Sequence, residues 1–231
     1  MFYFGPWDLI PIPGFILALY AQFRLKQLYA KYHDIPQSRG ATGAEVAQAI
    51  LDREGIRDVS IEPCPGELTD HYDPRNKVLR LSEGNFRTSS LAAIGVAAHE
   101  AGHAIQHKEK YAPLQARMAI VGVTNFGSSA GMIIFFLGFL FSGDFGPMLM
   151  RIGIILFSAI VIFQLITLPV EFDASRRAKR ALADLRFVNQ EEAVAIKKVL
   201  GAAALTYVAG LATAILELLR MVMIANSRSR D

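Results

Sequence analysis

The chain has 231 residues, of which 52% are hydrophobic and 19% charged, with a net charge of +3 and a mean hydropathy of +0.31. Soluble domains carry about 25% charged residues, so the balance points to a membrane; with no basic patch interleaved with aromatics, it points away from nucleic acid. Cys64 is the one cysteine, which rules out an intramolecular disulfide and a cysteine-built zinc site.

Residues 1–8 carry no Lys or Arg, and Leu9 to Phe23 is uncharged and apolar. That run is short against the roughly 20 residues a span needs, but Phe2, Tyr3, Phe4 and Trp7 extend it as an interfacial aromatic belt. A cleaved signal peptide is the rival reading. It is disfavoured because the basic residues Arg24, Lys26 and Lys31 follow the run. Residues 1–35 are therefore expected to be an N-terminal membrane anchor.

From about Pro36 the composition turns soluble. Thr42-Gly43-Ala44-Glu45 is a capping box opening a helix with Val46, Ala49 and Ile50 on its apolar face, and Gly55 is a stop signal. Val59-Ser60-Ile61 predicts a short strand. Leu68 to Tyr72, the turn Asp73-Pro74-Arg75-Asn76, and Lys77 to Ser82 predict a β-hairpin. A helix then starts near Thr88 to Ser90. Residues 36–117 thus form a small α+β head.

Met118 to Gly143 is uncharged for about 26 residues and Ile152 to Val170 for about 19, each long enough to span. Together, residues 118–170 read as a transmembrane hairpin, and Gly127 and Gly131 give it a small-xxx-small face for close helix packing. A charged segment expected to be helical covers 171–198. Residues 199–231 are expected to be a C-terminal membrane helix, over the apolar run Val199 to Leu216, and a polar tail, with a helix buried against the others or lying at the interface as the alternative.

The chemistry concentrates in His99-Glu100-Ala101-Gly102-His103. Four residues at about 100° each bring His103 to within about 40° of His99, one turn along. Two imidazoles on one face can share a metal ion, while Glu100 lies to the side, free to act as a base. This is the HExxH arrangement of zinc hydrolases. Small neighbours (Ala97, Ala98, Ala101, Gly102, Ala104) permit another helix to come close. A histidine on an apolar helix is otherwise more often a core residue than a ligand.

Catalytic zinc takes three protein ligands. His107 continues the series but stands about 12 Å along the axis from His99, too far to share the ion. The better third ligand is Glu171, just after the second long apolar run. Two predicted spans separate it from His103, so both emerge on one side of the membrane. Asp173 is the competitor, turned about 160° away on a helix. Glu191 and Glu192 read as an ordinary solvated helix start. Lys and Arg concentrate in 24–117 and 171–198, which puts the head and the Glu171 segment in the cytoplasm by the positive-inside rule. Arg228 and Arg230 count against a fourth crossing.

At these residues the chain resembles the membrane-bound neutral zinc metallopeptidases of the YugP type. The matching pieces are His71-Tyr72-Asp73-Pro74 with Val78-Leu79-Arg80-Leu81-Ser82, the His99–His103 helix, and Pro169-Val170-Glu171-Phe172-Asp173-Ala174-Ser175-Arg176-Arg177-Ala178. More distantly it is similar to HtpX-like peptidases. The resemblance implies a mainly α integral membrane protein: a helical membrane bundle with a small α+β zincin-like head. It also implies a gluzincin-type site with Glu171 as third ligand. The distant relatives usually have aspartate four residues after that glutamate, where this chain has Ser175, so support for a histidine ligand is expected from elsewhere, with Asp173 the candidate.

The expected function is hydrolysis of peptide bonds in membrane or membrane-proximal proteins, using one Zn2+ per chain and Glu100 as general base. The strand carrying Val78, Leu79, Arg80 and Leu81 is the expected cleft edge, receiving an extended substrate by strand addition. His71, Tyr72 and Arg177 are candidates for stabilising an oxyanion. The expected surroundings are a polypeptide substrate and the lipid bilayer of the plasma membrane, with several crossings and no nucleic acid. A silent membrane scaffold or regulator, and a zinc hydrolase of a non-peptide bond, are the competing readings. The sequence leaves the oligomeric state open.

Overall fold

The computed structural model describes residues 5–141 and 143–228. The aromatic residues Phe2, Tyr3 and Phe4 and the tail residue Arg230 lie outside them. The chain is mainly helical, with one small sheet. In order, the elements are α1 (Ile12–His33), α2 (Gly43–Arg53), β1 (Ser60–Cys64), β2 (His71–Asp73), β3 (Val78–Ser82), α3 (Glu83–Arg87), α4 (Leu91–Lys108), α5 (Ala112–Leu137), α6 (Phe145–Asp184) and α7 (Gln190–Arg228). They group into two compact units. One comprises residues up to Ala21, Ala116–Leu168 and the chain from Thr206; the other comprises Gln22–Gln115 and Pro169–Leu205.

The second unit is the head. The Thr42 side chain accepts from the Glu45 amide while Glu45 reaches back to the Thr42 amide at 2.8 Å, satisfying donors that the first turn of α2 leaves unpaired. Gly55 ends that helix in the left-handed region at φ +65°, where glycine carries no β-carbon penalty. Ser90 caps α4, its Oγ accepting from the Ala93 amide at 3.1 Å. Strand order is β1-β3-β2, with β3 parallel to β1 and antiparallel to β2. The core gathers Val46, Ile50 and Leu51 of α2, Leu79 and Leu81 of β3, Ile94 and Ala98 of α4, Leu182 of α6 and Ile196 and Val199 of α7. The second half of α1 joins it through Leu28, Tyr29 and Tyr32, so part of the helix expected as an anchor belongs to this core.

The sheet order corrects one expectation. Residues Val78, Leu79, Arg80 and Leu81 were expected at the cleft edge, but β3 is the central strand, paired on both sides. Its backbone groups are taken up in the ladders, and Leu79 and Leu81 are fully buried. The edge is β2.

The other unit consists of long helices. α6 and α7 are long and apolar enough to cross a membrane. Gly131 of α5 and Gly153 of α6 meet face to face: a β-carbon on Gly153 would come within 2.7 Å of the Gly131 carbonyl oxygen, which is how small residues let helices approach in lipid. α7 continues well past the 199–216 run. Its Arg220 bonds Asp8 at 2.9 Å and Glu217 at 2.6 Å, and Arg228 donates to the carbonyls of Phe139 and Phe141 at 3.3 Å. At the start of α7, Glu192 is not the solvated residue expected. It is buried, exchanges capping bonds with Asn189, and accepts from the Ser38 amide at 2.7 Å.

Candidate metal centre

The centre is made where α4 crosses α6 in the head. Gly102 sits between the two histidines, and a β-carbon there would stand 2.6 Å from the Ala174 carbonyl oxygen of α6. Only a residue without a side chain allows that approach. The crossing brings Glu171 against the histidine face of α4.

His99 Nε2 lies 3.2 Å from Glu171 Oε2, and His103 Nε2 lies 3.6 Å from the same oxygen. The two rings meet edge to face with centroids 4.8 Å apart, and the three ligand atoms all lie within 4.8 Å of one another. Zinc bonds of 2.0–2.1 Å in a tetrahedron set neighbouring ligand atoms about 3.4 Å apart. The donor set of two imidazoles and one carboxylate therefore fits zinc in both type and spacing. Glu171 is 2% exposed; a carboxylate so buried needs compensation by a cation or by hydrogen bonds.

Glu100 does not belong to this trio. It is buried. Burial pushes its carboxyl up to about 7, the charges of Glu171 and Asp70 adding to the rise while His99 and a hydrogen bond from the Tyr72 amide oppose it. The Tyr72 amide belongs to β2, so the edge strand runs beside the base. Asp70, just ahead of β2, accepts from the Ser82 amide at 2.8 Å and the Asn85 side chain at 2.9 Å, which fixes the strand's approach.

The histidines are held from behind. Ser175 Oγ lies 3.1 Å from His99 Nδ1, so the serine that departs from the relatives' aspartate does contact a histidine after all. Behind His103, Gln106 Oε1 lies 3.0 Å from Nδ1, and the same amide bonds Asp173 and the Val170 carbonyl. Asp173 thus reaches a histidine at one remove. Sequence reasoning missed Gln106; its place three residues after His103, on the same helix face, was the available signal.

The remaining candidates are engaged elsewhere. His71 Nδ1 bonds the Thr69 carbonyl at 2.8 Å, and the Tyr72 hydroxyl bonds His107 Nδ1 at 2.8 Å. His107, passed over as a ligand, is thus a partner of the edge strand. Arg177 is engaged with two carboxylates and a ring: Nε with Asp173 at 2.5 Å, Nη1 with Glu109 at 2.6 Å, and the guanidinium over Tyr111.

Residues 7–226 match the family described as "Putative neutral zinc metallopeptidase". The chain is 50% identical over 208 residues to the "Putative membrane protease YugP" of Bacillus subtilis (strain 168), covering 90% of this chain and 91% of that protein. No solved structure matches it.

Proposed function

Because the chain belongs to the neutral zinc metallopeptidase family, we propose that it is a membrane-bound endopeptidase in which His99, His103 and Glu171 hold one zinc ion and Glu100 is the general base. The observation that carries this is the convergence of two Nε2 atoms and one buried carboxylate oxygen, beside a carboxyl held near pH 7.

When bound, zinc supplies Lewis-acid polarisation and lowers the pKa of a coordinated water to about 7. Glu100 takes a proton from the attacking water and returns it to the departing amine; a base with its pKa near the working pH suits both transfers. The unpaired side of β2 offers the place for an extended peptide, which would add a strand to the sheet. The Tyr72 amide bonded to Glu100 sets that strand next to the proton-transfer group. Substrates are then polypeptides presented at a membrane, and the Lys and Arg clusters at 24–31 and 176–180 favour a cytoplasmic site.

The test is zinc content paired with proteolysis. Glu100→Gln should keep about one zinc per chain while cleavage of an unfolded membrane protein falls at least about 100-fold. His99→Ala should lose the zinc. Undiminished cleavage by Glu100→Gln overturns the base assignment. Wild-type protein that takes up no zinc from a loading buffer would favour the silent scaffold, and cleavage of lipid esters alone would favour a non-peptide hydrolase.

A further inference from the structure

We infer that Gln106 sets the tautomer and aim of His103, and is therefore the positioning residue of the second histidine ligand; the ligand role itself rests on the zinc reading above. Gln106 is completely buried, 0% exposed, and every polar atom of its side chain is used. Its amide nitrogen has two hydrogens. One goes to the Val170 carbonyl oxygen at 2.8 Å and the other to Asp173 Oδ2 at 2.9 Å. Its carbonyl oxygen faces His103 Nδ1 at 3.0 Å.

This orientation is forced by the partners. The reverse amide would set an oxygen against the Val170 carbonyl and the Asp173 carboxylate, three acceptors with no hydrogen among them. It would also forfeit two buried bonds, each expensive to leave unmade. With the amide so fixed, Oε1 can only accept. The proton of the contact must then come from His103 Nδ1, and in the neutral ring the lone pair falls on Nε2. That is the atom 3.6 Å from Glu171 Oε2, the one turned into the centre.

Asp173 is anchored in turn by Arg177 Nε at 2.5 Å and by Arg176. The result is a chain from guanidinium to carboxylate to amide to imidazole, in which a neutral amide stands where a carboxylate often supports a ligating histidine directly. His99 has a different arrangement. Its Nδ1 faces the Ser175 hydroxyl at 3.1 Å, which can donate or accept, while its Nε2 faces the Glu171 carboxylate at 3.2 Å, which can only accept, so without metal its proton sits on Nε2. The two rings thus carry their protons on opposite nitrogens.

The deciding experiment reads the tautomer directly. Long-range 15N–1H correlation spectra of metal-free, 15N-histidine-labelled full-length protein in detergent, with the rings neutral, should show His103 as the Nδ1–H form. His99, whose Nε2 faces the Glu171 carboxylate, should show the Nε2–H form. Gln106→Met keeps the length and removes the acceptor: the His103 signal should shift toward a mixture, and zinc affinity by chelator competition should fall about 10- to 100-fold. An Nε2–H tautomer of His103 in the wild type overturns the inference. So does a Met variant with the wild-type tautomer and zinc affinity within twofold. If the Met variant does not fold, the wild-type spectrum alone still decides. Wild-type protein that binds no zinc would overturn the ligand role, and this is told apart from failure of the Gln106 assignment because the tautomer is measured without metal.

Discussion

The two units of this chain close their interiors by different means. In the head, Val46, Ile50, Leu51, Leu79, Leu81 and Ile94 are all sealed from solvent. In the helical unit the large side chains turn outward: Leu19, Leu140 and Ile155 are 73%, 76% and 69% exposed. Among the described residues its interior cluster comprises Phe135, Met150, Phe157 and Met221, supplemented by glycine contacts such as Gly131 on Gly153. Water drives aliphatic side chains inward. Lipid does not, and helices in lipid associate through close packing and polar contacts. The outward apolar faces of the helical unit fit a membrane protein, as do α6 and α7, which are long and apolar enough to cross one.

Four substitutions probe that contrast, taken from the largest effect to the smallest. Gly102→Val drives a side chain into the Ala174 carbonyl 2.6 Å away and should abolish zinc binding, measured by metal content, while helicity by circular dichroism is largely retained. Normal zinc content in that variant would mean that the α4–α6 crossing is looser than its geometry implies. Next, Leu79→Ala in the head core should cost about 2–5 kcal/mol in detergent-based unfolding. Gly153→Leu, which meets the Gly131 and Phe135 backbones at 2.7 Å, should cost about 1–3 kcal/mol by overpacking. Ile155→Ala should cost under about 0.5 kcal/mol. Equal losses for Leu79 and Ile155 would erase the distinction between the units.

The head also has a pH signature. Glu100 is raised from 4.5 to about 7 in the folded state, so the folded, metal-free protein holds a proton that the unfolded chain gives up earlier. The stability this confers is complete below about pH 4.5 and is lost as pH rises through 7. Unfolding of the metal-free protein at pH 5 and pH 8 should show this fall, and Glu100→Gln, neutral at both, should flatten it.

That His99, His103 and Glu171 would come together was legible in the sequence from helical spacing and from the even number of apolar runs expected to span between them. The hairpin and the capping box at Thr42 were legible for the same local reason. Sheet order was not. Alternation along Val78 to Ser82 says that a strand has a buried face, but which strand stands at the edge depends on β1 pairing with β3 across the connecting chain, and no local pattern encodes it. Ser175 was misjudged because a hydroxyl is too short to be recognised as a partner until the crossing of α4 on α6 brings His99 within reach. Gln106 carried only its spacing from His103 as a signal, for a related reason: a glutamine on a helix is ordinary until both hydrogens and the oxygen of its amide are seen to be spoken for. Glu192 looked solvated since its partner, the Ser38 amide, comes from far along the chain.

The edge strand β2 is three residues long, His71 to Asp73, about 10 Å of extended chain. A guest aligned on so brief a rail forms only a few backbone bonds, too few for its side chains to be sorted in several successive pockets. Selection then falls on slack: a stretch of polypeptide that has already come loose from its own helix or sheet can lie down there, and one still folded cannot. Such a protease would choose targets by how far they have come undone, with little regard for what they spell.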